Sequence, residues 1–200
     1  MEGISLVAAL GNPGARYTDS RHNAGWWCLD ALQRDFGLIF RHESKFSSEV
    51  ARASLDGRSV WFIAPQTFMN LSGDAVAAFA RYYRIAPENI LVVYDDLDLP
   101  PGTVRLKSGG GLGGHKGLTD IERKLGSRDF VRVRIGIGHP GTRDDVIGYV
   151  LHAPRKAERE LIDAAIDRIW GQFRQILGGE YERVMNELHR SEPAARPAGQ

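Results

Sequence analysis

Residues 91–94, Leu-Val-Val-Tyr, form a short apolar run rich in β-branched residues that stops at Asp95, Asp96 and Asp98. A run with no polar face reads as a strand buried on both sides. ISLVAAL at 4–10 reads the same way. Strands of that kind need helices above and below them, which confines the chain to an α/β layer. The rest of the pattern agrees. Residues 25–36 repeat apolar side chains at 26, 29, 32 and 36 and end at Gly37, a helix with its stop. Residues 47–55 and 59–64 flank Asp56-Gly57 as a hairpin. A helix is expected over 71–83, a strand over 103–107 after Pro100-Pro101-Gly102, a helix over 118–125, a strand over 130–138 and a helix over 145–151. One long amphipathic helix is expected over 155–177, with Leu161, Ala165, Ile169 and Phe173 on one side. Gly178-Gly179 breaks it before a short helix over 181–188. The order predicts a single α/β domain over 1–190, with a twisted mixed β-sheet, helices on both faces and a helical C-terminus. Residues 191–200, SEPAARPAGQ, carry no core residues and read as a disordered tail.

In open α/β sheets, sites are built at the carboxyl ends of strands. Polar residues recur there in this chain. Asn12 lies in the Gly-Asn-Pro-Gly turn after the first strand, Asn70 lies between the hairpin and its helix, and Asp95 ends the 91–94 run. Ordinary roles exist for each, such as turn geometry for Asn12 and a helix cap for Asn70. Their recurrence on one edge is the argument for a site. Five glycines in the six residues 109–114 then run into His115, Lys116 and Gly117. Such a loop suits close approach of backbone to a ligand. Gly109, Gly111 and Gly114 match the dinucleotide-binding spacing, but no acid follows about 20 residues later at a strand end. Asp129 falls in a turn.

Overall charge decides little, because the 200 residues carry a net +1. Its distribution is informative. Residues 103–143 hold nine Lys/Arg (105, 107, 116, 123, 124, 128, 132, 134 and 143) against three acids (120, 122 and 129). A basic patch on a neutral chain suggests an anionic partner, nucleic acid first. The single cysteine, Cys28, forms no internal disulfide and suits a reducing compartment. No window has the apolar length of a membrane span, no secretory leader is evident, and no His/Cys spacing suggests a metal site.

His22 precedes the helix over 25–36. The positive end of that helix dipole disfavours an imidazolium, so a neutral general base is expected. Asp95 is the natural partner to fix its tautomer and stabilise the cation formed during reaction. The chain has no G-x-S-x-G elbow, and Cys28 lies in an apolar stretch. Water is therefore the expected nucleophile, with amide side chains and glycine N–H groups available to hold an oxyanion. An activated acyl group attached to a nucleic acid fits this set.

GNPGARYTDSRHNAG, FMNLSG, DDLDLPPG, GGGLGGHKGL and RIGIGHPG together resemble the bacterial-type peptidyl-tRNA hydrolase family, in order, over about residues 4–188. The resemblance implies one α/β domain that cleaves the ester between a peptide and the 3′-terminal ribose of tRNA, with no metal or cofactor. It implies His22 as base, Asp95 as its partner, and Asn12 in telling blocked from free aminoacyl-tRNA. Tyr17, Phe68 and Asn70 would contact the acylated 3′ end, beside the Gly113–Gly114 loop. Lys107 and Arg134 would face acceptor-stem phosphates. A cytoplasmic monomer with no membrane contact is expected. The family motif usually reads GGHNG, and here Lys116 replaces the Asn; it is expected to swing toward the tRNA. The alternative is an RNA-binding protein of the same fold without hydrolysis.

Overall fold

The computed structural model describes residues 3–142 and 144–190, with the side chains of 189 and 190 left aside. The sheet is built around β1 (Leu6–Ala9) and β5 (Ile90–Asp96), both buried at every position. β2 (Arg41–Glu43), β3 (Ser48–Leu55) and β4 (Arg58–Pro65) lie to one side of β1, and β6 (Val104–Ser108) and β7 (Val131–Gly136) lie beyond β5. The strand order is β2-β3-β4-β1-β5-β7-β6. β4, β1, β5 and β7 run parallel, while β2, β3 and β6 pair antiparallel. The mixed sheet is as expected.

Alternate residues of each inner strand face opposite layers. Val7, Ala9, Leu91 and Val93 pack against α1 (Ala24–Phe36), α5 (Lys156–Trp170), α6 (Phe173–Leu177) and α7 (Tyr181–Arg190), through Cys28, Leu32, Ile162, Ile169, Phe173 and Val184. Leu6, Ala8, Val92 and Tyr94 pack against α2 (Ser72–Tyr83) and α3 (Lys116–Leu125), through Val76, Phe79, Leu118 and Ile121. The short α4 (Val146–Leu151) stands at the carboxyl edge and buries only Val150. No helix among the described residues is long and apolar enough to cross a membrane.

Several expectations are corrected. β5 continues through Asp95 and Asp96 rather than ending before them, because β7 extends the ladder opposite, pairing Asp95 with Ile135 and Asp96 with Gly136. The acids are thus held by strand geometry. The helix expected over 155–177 is two helices, interrupted at Gly171 and Gln172. Glycine weakens a helix interior, and Phe173, Ile176 and Leu177 find cover only after the chain turns. The buried stripe of α5 is Ile162, Ala165, Ile166 and Ile169, while Leu161 is 45% exposed. The stripe is offset from the one expected, and Leu161 covers Gly102 at its margin. β2 is fully exposed and polar, a strand made by backbone pairing with β3 that hydropathy does not reveal. The glycine loop follows β6, an antiparallel edge strand, so the parallel strand–loop–helix unit of a dinucleotide site is absent here. The expected tail at 191–200 lies outside the described residues.

Candidate functional site

The carboxyl ends of β1 and β5 open into a cavity of about 400 Å³. Asn12, Tyr17, His22, Phe68, Asn70, Asp95, Gly113, Gly114 and Lys116 all line it. Lys107 and Arg134 do not.

Two close approaches set the frame. Gly25 lets α1 lie against the strands, since a Cβ there would stand 2.5 Å from the Leu10 carbonyl oxygen and 2.6 Å from that of Val93. Gly117 lets α3 lie against Met69, whose sulfur would be 2.8 Å from an added Cβ. His22, in the turn Arg21–Asn23 just before α1, is thereby brought over Asp95.

Nδ1 of His22 lies 2.9 Å from each oxygen of Asp95. His115, for which the sequence pattern gives no role in the site, reaches the same carboxylate, with Nε2 3.2 Å from Oδ1. The tautomer of His115 follows from its surroundings. The Leu118 N–H donates to Nδ1, 3.3 Å away, as the cap of α3. The ring proton therefore belongs on Nε2, directed at Asp95. Asp95 is buried, and burial alone would raise its pKa; His22 and His115 outweigh that and hold the carboxyl well below the usual range. Burial likewise opposes charge on His22, but the Asp95 carboxylate prevails and the imidazole pKa lies above its ordinary value, with Lys116 pulling the other way. The expected helix-dipole effect does not decide the matter. A full charge at hydrogen-bond distance outweighs the partial charge of a helix end.

Three possible metal ligands, His22, Asp95 and His115, come within 4.8 Å of one another, a grouping that residue spacing did not indicate. A ligating histidine carries its proton on the other nitrogen and donates it onward. For His115 that other nitrogen faces the Leu118 N–H. Metal on Nε2 would set N–H against N–H, so this donor set suits shared protons better than an ion.

Asn12 is buried, and its side-chain oxygen accepts from the Met69 N–H at 2.8 Å. Its amide NH2 is what remains for the cavity. Asn23 holds the cap position of α1, but its side chain makes no cap bond and instead grips Asn12: its oxygen accepts from the Asn12 N–H at 2.8 Å, and its NH2 donates to the Asn12 carbonyl at 3.1 Å. No sequence pattern separates that role from capping. Asn70 is exposed at the cavity and caps nothing; Leu71 holds the cap position of α2. Phe68 is 52% exposed, as suits a contact surface more than a core side chain. Cys28 is buried, and burial pushes its thiol far up, so it offers no nucleophile. Lys116 is exposed at the first position of α3, lines the cavity, and acts electrostatically on His22. It thus shares the cavity with His22.

The basic face is real but uneven. Lys107 pairs with Arg132 and Arg105 with Arg134 across β6 and β7, so all four share one side of the sheet. Arg134 donates to Asp96 at 2.7 Å, which answers much of its charge. Arg132 is 1% exposed and bonds the carbonyls of Gly109, Gly110 and Gly111, holding the glycine loop from beneath. Lys107 has no ion pair among the described residues, and its ammonium lies beside Gly110.

Known proteins match this chain closely in sequence and fold. The sequence model of the family Peptidyl-tRNA hydrolase matches residues 6–196. A peptidyl-tRNA hydrolase of Neisseria meningitidis is 50% identical over 186 residues, covering 93% of this chain and 97% of its own. One from Azoarcus sp. (strain BH72) is 49% identical over 193 residues, covering 96% and 85%. The crystal structure of peptidyl-tRNA hydrolase from Acinetobacter baumannii superposes with a TM-score of 0.93 at 42% identity, covering 97% of this chain and 98% of that one. By motif, sequence and fold, the chain belongs to the peptidyl-tRNA hydrolase family.

Proposed function

We propose that the chain hydrolyses the ester linking a peptide to the 3′-terminal ribose of tRNA and so returns free tRNA to translation. The observation that carries the reading is the His22–Asp95 pair opening into a cavity that also receives the Asn12 amide. Nε2 of His22 takes a proton from water as the oxygen attacks the ester carbonyl. Nδ1–H remains on Asp95, which stabilises the imidazolium as it forms. Negative charge gathers on the carbonyl oxygen, and the Asn12 NH2 and glycine-loop N–H groups are the donors near enough to receive it. The tetrahedral intermediate then collapses. The C–O bond to the ribose breaks, and the imidazolium returns its proton to the departing 3′-oxygen. Product acid and tRNA leave, and the base is regenerated.

Phe68, Tyr17 and Asn70 line the cavity and suit contact with the terminal nucleotide and first acyl residue, by stacking and by amide hydrogen bonds. Lys107, and Arg134 more weakly, supply contacts to acceptor-stem phosphates that carry no sequence information. A single chain supplies every group named, which suits a monomer, and the substrate arises in the cytoplasm. The test is turnover of N-acetyl-aminoacyl-tRNA by the purified protein beside His22→Ala. Loss of the base should lower kcat by about 10²–10⁴-fold with tRNA binding kept. A folded wild-type protein that binds tRNA but releases no acyl group would be an RNA-binding protein instead. A His22→Ala protein with more than about a tenth of wild-type kcat would remove His22 from the role of base.

A further inference from the structure

Arg21, next to His22, has no part in the reaction just described, yet it is among the most heavily bonded side chains present. It is buried, and its Nη1 is shared among the carbonyls of Tyr149, His152 and Ala153 at 3.1–3.2 Å. Its Nη2 meets Glu158 at 2.8 Å, its guanidinium lies 3.9 Å from the Tyr149 ring centroid, and its backbone N–H donates to His152 at 3.1 Å. Those carbonyls belong to the end of α4 and the residues after it.

α4 needs such an anchor. Six residues are too few to form a stable helix unaided, and this one buries a single side chain. Its last carbonyls have no partners within its six residues; His152, just past its end, meets those of Gly148 and Tyr149, and a cation at that end is favourable as well. Apart from Arg21, the bond from the Tyr149 hydroxyl to the Ile137 carbonyl, 2.6 Å, is its main polar tie to the sheet. The face of α4 turned to the cavity is apolar, with Val146, Ile147, Val150 and Leu151, and Ile147 is 62% exposed. An apolar wall in the same cavity as the glycine loop suits the peptide beyond the scissile ester.

We infer that Arg21 is a positioning residue that fastens the α4 wall to the turn carrying His22, so that the peptide part of the substrate is held in register with the base. The inference rests on the hydrolase reading for its substrate but not for the anchor itself. It predicts an effect on binding of the acyl chain and little on chemistry, since the His22–Asp95 contact does not pass through the guanidinium.

Arg21→Met keeps the buried volume and removes the donors, and Arg21→Lys restores a cation able to serve the same carbonyls. Two measurements are made on the full chain: amide hydrogen exchange by mass spectrometry, and steady-state kinetics with N-acetyl-aminoacyl-tRNA and with tRNA carrying a peptide of several apolar residues. In Arg21→Met, exchange over residues 146–152 should quicken about tenfold or more while α1 stays protected, the loss expected of charged hydrogen bonds. KM for the long substrate should rise about tenfold, KM for the short one less than about twofold, with kcat little changed. Arg21→Lys should recover part of both effects. Unchanged exchange over 146–152, equal KM rises for both substrates, or a fall in kcat alone would each overturn the inference. If Arg21→Met loses protection in α1 as well, the comparison of the two segments decides: a larger loss over 146–152 than in α1 supports the anchor, and an equal or smaller loss there refutes it. A chain that shows the exchange effect but turns over neither substrate keeps the anchor and loses the hydrolase reading.

Discussion

Asp95→Asn tests the centre of the site most directly. Both carboxylate oxygens stand 2.9 Å from His22 Nδ1, and Oδ1 also receives His115 Nε2–H at 3.2 Å. Because the Leu118 N–H fixes that proton on His115, the new amide must keep its oxygen at Oδ1 and turn its NH2 toward His22. An NH2 facing Nδ1 favours the tautomer with the proton on Nε2, where it blocks proton uptake from water. The charge is lost too. Two unit charges about 4 Å apart interact by about 4 kcal/mol at an effective dielectric constant near 20. A hydrogen bond to a charged group contributes about 1.5–3 kcal/mol, part of the same interaction. Together they imply about 3–4 kcal/mol of imidazolium stabilisation, or about 10²–10³-fold in kcat at 1.36 kcal/mol per decade. The sign of the pH effect follows from the same contact. Burial lowers the pKa of His22 and Asp95 more than restores it. Without the charge, His22 titrates lower, and the acid limb of kcat/KM moves to lower pH. The assay is hydrolysis of N-acetyl-aminoacyl-tRNA between about pH 5 and 9, with KM and kcat separated. A kcat within about threefold of wild type, an acid limb that stays put, or a change in KM alone would refute the reasoning.

Lys107→Ala should weaken all tRNAs alike and flatten the slope of log K against log[salt] by about one unit or less, whereas Arg134→Ala, already answered by Asp96, should flatten it less; selective loss of one tRNA species would contradict both. Lys116→Asn removes a cation that, after burial and Asp95, is the remaining influence on His22 and lowers its pKa, so the acid limb of kcat/KM should move to higher pH; an unmoved limb with a smaller salt dependence would place the ammonium on the tRNA instead. Gly25→Ala sets a methyl 2.5 Å from the Leu10 carbonyl oxygen and should cost about 1–3 kcal/mol in denaturant unfolding, with an unchanged midpoint counting against the tight α1 contact.

What the sequence discloses here depends on whether a residue's role is local. The inner strands are legible because Leu91–Tyr94 and Leu6–Ala9 are apolar at nearly every position, and burial on both faces admits few other readings. Asn12, His22, Asn70 and Asp95 are legible as polar residues where strands and turns give way to loops. Their orientations are not. The Asn12 amide is aimed by a backbone N–H 57 positions away, and by Asn23, an asparagine at a helix start whose sequence position alone would fit a cap equally well. His115 is missed for the same reason, since its tautomer and its reach to Asp95 exist only once α3 begins at Lys116. The α5 stripe is offset because amphipathic spacing fixes a period but only loosely a phase.

At His22 the helix dipole is present, yet it does not set the basicity of the ring. His22 does precede α1, and a helix end does repel an imidazolium. Distance decides between dipole and carboxylate. A carboxylate at 2.9 Å acts on the ring more strongly than a partial charge spread over the first helical turn, so the group is more basic than the local sequence suggests. That change suits the chemistry rather than opposing it. A base whose conjugate acid is stabilised only by a partner already in place needs no reorganisation as the proton arrives. His115 refines the arrangement. Its fixed N–H occupies one oxygen of Asp95 at all stages, which limits how far the carboxylate can turn away from His22. Asp95 is therefore oriented from two sides, by α3 through His115 and by the ladder of β5 with β1 and β7, before any substrate enters.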